Sequence, residues 1–239
     1  MKQNKVIVVV PTYNNLGSIK KVIEDILAHD YEVIVVDDGS DTSVKDIFTL
    51  DEQKEIHFIR HELNQGKGQA IISGTQRAKE LGYLYVLSMD GDGQHLASQA
   101  QLLINECHQD EIIIGARNFN LKNVPLGSKF GRWFSNIWAK LNTKMMISDS
   151  LSGYRIYPVS ILDLPIQTKK FDWEMEVLIR HAQEGKNIKE VGIECYYPLA
   201  EERVSHFRNF EDTMSIVWVH LQILFHRFVD KIKKLFKIK

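Results

Sequence analysis

An α/β fold with a predominantly parallel sheet flanked by helices follows from two features of the sequence. Short, continuously apolar, β-branched runs alternate with stretches of helical periodicity, and a polar cluster rich in Asp, Asn and Gly closes each of the first four runs. Continuously apolar strands belong to sheets covered on both faces, and strand–helix alternation is how parallel strands are connected. The 239 residues suffice for one sizeable domain with a full core and are short for two.

The elements read in order as follows. Val6–Val10 is a buried strand, and Ser18–Ala28 carries apolar residues at 19, 22, 23, 26 and 27, the spacing of a helix face. Glu32–Val36 is a second strand, followed by a short helix near Val44–Leu50. Ile56–Arg60 is the third strand, and Gly68–Leu81 is a helix stopped by Gly82. Tyr83–Met89 is the fourth strand, Ser98–Cys107 a helix and Ile112–Gly115 the fifth strand. Beyond Arg117 the alternation loosens. Leu126–Thr143 reads as an aromatic-rich helix whose Phe130, Trp133, Phe134 and Trp138 are assigned to the core, with a lipid-facing role as the alternative. Gly153–Tyr157 is a short strand, Trp173–Glu184 a helix closed by Gly185, and Ile188–Cys195 a strand. The expected division is a domain over 1–208 and a helical segment over 209–239.

Composition sets limits on function. Hydrophobic residues make up 44% and charged residues 26%, with a formal net charge of −1, which is ordinary globular composition without the basic signature of a nucleic-acid binder. Cys107 and Cys195 stand far apart with no CxxC, which points to a reducing compartment and to small core residues. The apolar run before Pro11 is too short for a signal-peptide core, and no run reaches the roughly 18 residues of a membrane span. The longest apolar segment, Ile216–Val229, is interrupted by His220, Gln222, His226 and Arg227.

In open α/β sheets ligands bind at the carboxyl ends of the strands. The four clusters sit there: Pro11-Thr12-Tyr13-Asn14, Asp37-Asp38-Gly39-Ser40, Asn64-Gln65-Gly66-Lys67-Gly68 and Asp90-Gly91-Asp92-Gly93-Gln94-His95. Asp90-Gly91-Asp92 is the sharpest, because two carboxylates flanking a glycine can approach one hard cation such as Mg²⁺ or Mn²⁺ and leave positions for diphosphate oxygens. An Asx-rich turn explains the same triplet. An EF-hand does not, since position 12 from Asp90 is Gln101. Asp37-Asp38 suits hydrogen bonds from a base or ribose, or equally a helix start capped by Ser40, Asp41 or Ser43. Gly66-Lys67-Gly68 lacks phosphate-loop spacing, and alone it reads as a glycine turn with a solvated lysine. No GxGxxG follows the first strand, which argues against a dinucleotide oxidoreductase. His95 is read as a polar residue at a helix start rather than a ligand.

In order and spacing these four clusters resemble the successive motifs of family-2 glycosyltransferases of the GT-A fold over residues 5–120. Asp149-Ser150-Leu151-Ser152-Gly153-Tyr154-Arg155, Glu174-Met175-Glu176-Val177 and Glu190-Val191 are similar to the polyprenol-phosphate mannose or glucose synthase branch. The resemblance implies an inverting transfer from a UDP- or GDP-sugar, with polyprenyl phosphate as the favoured acceptor and a saccharide or glycolipid hydroxyl as the alternative. It places Pro11, Thr12, Tyr13, Val36 and Asp38 around the nucleoside and Lys67 nearby, with Asp90, Asp92 and Gln94 at the metal and Gly91 close by. It sets Arg117 against the diphosphate, or on the surface.

Two positions depart from the branch. Its first motif commonly ends in Glu where this chain has Asn15, and its Arg-x-x-Gly-x-Ser-Lys motif is replaced by Glu202-Arg203-Val204-Ser205-His206-Phe207-Arg208. Arg203 and Arg208 remain candidates for a phosphate or diphosphate, or exposed arginines before a helix. These departures also admit a nucleotide-sugar-binding module without turnover.

A lipid phosphate acceptor is already anionic and needs only cations to hold it, whereas a hydroxyl needs a carboxylate to take its proton. Glu174 is the first candidate for that base and Asp149 the second, while Glu174 also suits a helix N-terminus, with Asp172 beside it. Residues 214–239 have helical apolar spacing, and Arg227–Lys239 holds six Lys or Arg against one acid. A basic amphipathic helix with Trp218, Phe225, Phe228 and Phe236 suits anionic lipid, each basic residue adding about 1 kcal/mol. A helix packed on the core with a lysine tail is the alternative. The expected location is cytoplasmic, peripheral on the inner face of the plasma membrane.

Overall fold

The computed structural model describes residues 6–117 and 126–195. Arg203, Arg208 and the basic segment over 209–239 lie outside the described residues.

Seven strands form one sheet in the order β3-β2-β1-β4-β6-β5-β7. These are β1 (Val6–Thr12), β2 (Val33–Asp37), β3 (Ile56–Arg60), β4 (Tyr85–Ser88), β5 (Ile112–Arg117), β6 (Arg155–Pro158) and β7 (Ile188–Ile193). β1 pairs in parallel with β2 and β4, β2 with β3, and β5 with β7. β6 runs antiparallel to both β4 and β5, so β6 alone is reversed. The expected parallel sheet is therefore found, with one inserted antiparallel strand.

Period-two alternation explains the two cores. Ile7 and Val9 of β1 and Ile34 and Val36 of β2 face one side, with α2 (Lys67–Glu80) and α5 (Trp173–Gln183). Val8, Val10, Val33 and Val35 face the other, against α1 (Leu16–Ala28) and α3 (Ala100–Ile104). α2 lies close on the sheet because it presents Gly74 there, where a Cβ would stand 2.4 Å from Val9 Cγ1.

Some boundaries differ from expectation. The helix expected over Ser98–Cys107 is a 3₁₀ turn, Ala97–Gln99, running into α3, and it tightens again at its end, where Glu106 and Cys107 donate to Leu103 and Ile104. The segment near Val44 is a 3₁₀ turn, Val44–Ile47, and the side chains expected to cap it do not. Asp37 does so from the strand, accepting from Ser40 N and Val44 N. α4 (Leu126–Thr143) departs from its expected core role: Trp133 is 58% exposed, with Ile137 and Leu141 on the same side one and two turns further on. Phe134 and Trp138 are half-buried and meet edge to face, and the side chain of Phe130 lies outside the described residues.

Candidate active site

Because the parallel strands end on one edge, β1, β2, β3, β4 and β5 deliver Thr12, Asp37, Arg60, Ser88 and Arg117 to that edge, and reversed β6 delivers its first residue, Arg155, to the same place. The polar clusters converge there, beside the switch point where β1 lies between β2 and β4.

At its centre is Lys67. Its side chain is 14% exposed, and its ammonium is 2.7 Å from Asp90 Oδ1 and 3.0 Å from Glu174 Oε1, and 5.8 Å from the Phe171 ring centre. Burial opposes the lysine charge, yet Asp90 and Glu174 outweigh it and raise the pKa. Burial likewise opposes the Asp90 charge, and Lys67, followed by His95, brings that carboxyl down to about 2. Asp92 behaves in the opposite way: burial and the Asp90 charge push it up to about 6. The main-chain N–H of Gln94 donates to Asp92 Oδ1 at 3.0 Å. His95 is buried, stacked on Tyr154 at 4.9 Å, and burial lowers its pKa to about 4, so its ring is neutral at pH 7.

Arg117 forms a forked pair with Asp149: Nε donates to Oδ2 at 2.8 Å, Nη2 to Oδ1 at 2.9 Å, and the Arg117 backbone N–H also donates to Oδ2. Asp149 is 0% exposed with both oxygens engaged, which removes it as a base for an acceptor hydroxyl. It orients Arg117 instead, and Glu190 of β7 holds Asp149 in turn by accepting its backbone N–H and that of Ser148.

Two of the residues expected around the nucleoside have buried side chains. Val36 is fully enclosed beneath α2, so its side chain cannot touch a ligand. Asp38 is buried and turned inward, accepting from His61 Nδ1 at 2.6 Å and from the backbone N–H groups of Gln65 and Gly66. It holds the loop that delivers Lys67. In the neutral ring, His61 Nε2 then accepts from the Ser73 hydroxyl. Pro11 and Thr12 are buried at the end of β1, Tyr13 is exposed, and Thr12 Oγ1 is buried without a hydrogen-bond partner among the described residues.

His61 and Arg155 make buried contacts beside the site that the sequence did not point to. His61 had one available signal, its place just beyond β3 on the loaded edge. Arg155 is 0% exposed and donates to three main-chain carbonyls, those of Ser150, Ser152 and Glu174. It thereby ties the Asp149 loop to the start of α5. Arg155→Met is expected to lower unfolding free energy in urea by about 3 kcal/mol or more, since each buried acceptor left unpaired costs roughly 1–3 kcal/mol.

Residues 7–155, more than half the chain, match the model for Glycosyl transferase family 2, and the protein belongs to that family. It is a glycosyltransferase. It is 31% identical over 222 residues to the UDP-N-acetylglucosamine–dolichyl-phosphate N-acetylglucosaminyltransferase of Methanococcus voltae, covering 82% of this chain and 88% of that one. It is 28% identical over 200 residues to the undecaprenyl-phosphate mannosyltransferase of Micrococcus luteus, covering 79% and 82%. Glucosyl-3-phosphoglycerate synthase from Mycobacterium tuberculosis, solved with Mn²⁺, UDP and glucosyl-3-phosphoglycerate, superposes with a TM-score of 0.71 over 92% of this chain and 80% of that one at 15% identity, a likeness of fold.

Proposed function

We propose that the protein is an inverting, divalent-metal-dependent hexosyltransferase that moves a sugar from a UDP- or GDP-sugar to polyprenyl phosphate at a membrane surface. The observation that carries this reading is the meeting of Asp90, Asp92, Lys67 and Glu174 on one sheet edge. The acceptors named for the Methanococcus and Micrococcus relatives support the same class.

Among the described residues no group of three or more His, Cys, Asp or Glu is arranged to hold a metal alone. Asp90 and Asp92 nonetheless fit Mg²⁺ or Mn²⁺, which take one or two carboxylates and complete their shell with phosphate oxygens and water. Burial and then repulsion from Asp90 raise the Asp92 pKa, and a cation between the two carboxylates would relieve the second. A metal held there would offset the charge building on the departing diphosphate. Lys67 and the orientation-locked Arg117 add fixed positive charge beside the same oxygens. An acceptor phosphate oxygen bonds to the sugar's anomeric carbon as its bond to the diphosphate breaks on the opposite face. Pairing of Glu174 with Lys67 leaves it poorly placed to take a proton and favours an acceptor that is already anionic. Glu174 then serves to hold Lys67. Pro11, Thr12, Tyr13 and the Asp38-braced loop surround the nucleoside, and Arg203 and Arg208 remain proposed contacts of the phosphates.

No helix among the described residues is long and apolar enough to cross a membrane. The exposed Trp133, Ile137 and Leu141 of α4 and the basic sequence over 214–239 support peripheral attachment at the cytoplasmic face.

The test is transfer of radiolabelled sugar from a panel of UDP- and GDP-sugars to undecaprenyl or dolichyl phosphate, with Mn²⁺ or with EDTA. Nucleotide binding without transfer from any donor would point to the non-catalytic module. Asp92 must be ionised to hold the metal, so at low Mn²⁺ kcat/KM is expected to fall about tenfold per unit below pH 6. Raising Mn²⁺ should move that limb to lower pH, and a limb that ignores Mn²⁺ contradicts the assignment.

A further inference from the structure

The Asp90–Gly91–Asp92 turn is held from behind by the first turn of α1. Asn15 occupies the N-cap position, where an asparagine ordinarily turns its side chain onto the free N–H groups of the helix, a bond worth about 1 kcal/mol. Here it makes no side-chain cap bond. Its Nδ2 instead donates to the Gly91 carbonyl at 2.8 Å, in a buried contact spanning 76 residues of chain. Ser18 Oγ stands 2.5 Å from the same carbonyl and 2.9 Å from Asn15 Oδ1, and its single proton serves one acceptor at a time. Ile19 closes the remaining side: a Cβ at Gly91 would lie 3.1 Å from Ile19 Cδ1.

The gripped peptide separates two carboxylates that repel each other. Left free, the turn would relax by rotating them apart. A neutral amide is the group suited to this place, because it donates to the Gly91 oxygen and offers Ser18 an acceptor. A carboxylate of the same shape has no donor and sets oxygen against oxygen. The diverted cap and the two donors converging on one buried carbonyl mark the contact as more than helix initiation.

We infer that Asn15 is a positioning residue that fixes the Gly91 peptide so that Asp90 and Asp92 face one divalent cation together. The inference rests on the proposed metal role of those two aspartates.

Mn²⁺ binding to the full-length protein, read from the electron paramagnetic resonance signal of free Mn²⁺, tests it without reference to turnover. The variants are Asn15→Ala, Asn15→Asp and Asp92→Asn. Asn15→Asp keeps the shape and is as good an N-cap, so it guards against a folding defect in Asn15→Ala. Both Asn15 variants are expected to weaken Mn²⁺ binding about tenfold, at the lower end of the 10–100-fold typical of groups that orient metal ligands. UDP and GDP binding in EDTA should stay at the wild-type level, which a general loosening of the site would not allow. Wild-type Mn²⁺ affinity in folded Asn15→Asp, alongside its loss in Asp92→Asn, overturns the inference and leaves the metal reading standing. Undiminished affinity in Asp92→Asn overturns both.

Discussion

Asp92→Asn is expected to lower sugar transfer about a thousandfold and, at pH 8 without metal, to give a protein that melts higher than wild type. The loss follows from removing the carboxylate that completes the proposed cation site, an effect of the size seen when a charge-stabilising group is deleted from an active site. The gain follows from the raised carboxyl. Its folded pKa is about 6 against an ordinary value of 3.8, so the protonated form favours the fold. That contribution is fully present below the unfolded value and is lost as pH rises through 6, above which ionised Asp92 strains the metal-free site. The shift of roughly two units corresponds to about 3 kcal/mol at most, and partial exposure to solvent reduces it to about 1–2 kcal/mol. For a chain of this size that is a rise of roughly 2–6 °C. At pH 5 wild-type Asp92 is protonated and the difference should shrink. Calorimetry at the two pH values, with and without Mn²⁺, checks each part, and a variant that melts lower than wild type at pH 8 contradicts the account. Asp90 has the opposite linkage: its pKa of about 2 means its contribution is present above the unfolded value and is lost as pH falls through 2.

The sheet edge was legible because parallel strands all present their carboxyl ends to one side, so four clusters after four strands had to meet. Asp90, Asp92 and Lys67 could be placed there from that rule alone, whereas Arg117 was set there only by the family resemblance, with the surface as the alternative. Their pairings could not. Lys67 reaches both Asp90 and Glu174 because α5 packs beside the start of α2, where a Cβ on Gly68 would fall 2.3 Å from Trp173 Cβ. Asp149 meets Arg117 because β6 enters the sheet reversed between β4 and β5. An apolar run shows that a strand exists and says nothing of its direction. Hydrophobic period likewise separates a helix's faces without saying what lies beneath them, so the aromatic spacing of α4 admitted a core role for Trp133 that its exposure does not bear out.

Gly153→Ala is expected to leave the fold nearly intact and reduce kcat/KM about a hundredfold. Gly153 precedes β6 and passes directly under the charged centre: a Cβ there would lie 2.6 Å from Asp90 Oδ2 and 2.8 Å from Lys67 Nζ. Its φ lies outside the positive range, so an alanine backbone is not strained there. The obstructing atoms are ends of side chains, which can yield, and the stability cost should be about 1 kcal/mol. What cannot survive is their present arrangement. Relieving contacts this short moves the ammonium or the carboxylate by several tenths of an ångström, and the 2.7 Å pair between them is displaced, and with it the proposed cation site. Misplacement of about 1 Å in a reacting constellation costs on the order of a hundredfold. Steady-state transfer assays beside urea unfolding separate the two effects. Activity within threefold of wild type would show that the Lys67–Asp90 contact is not what sets the geometry of transfer. A large loss of stability with proportionate loss of activity would show Gly153 to be a packing residue.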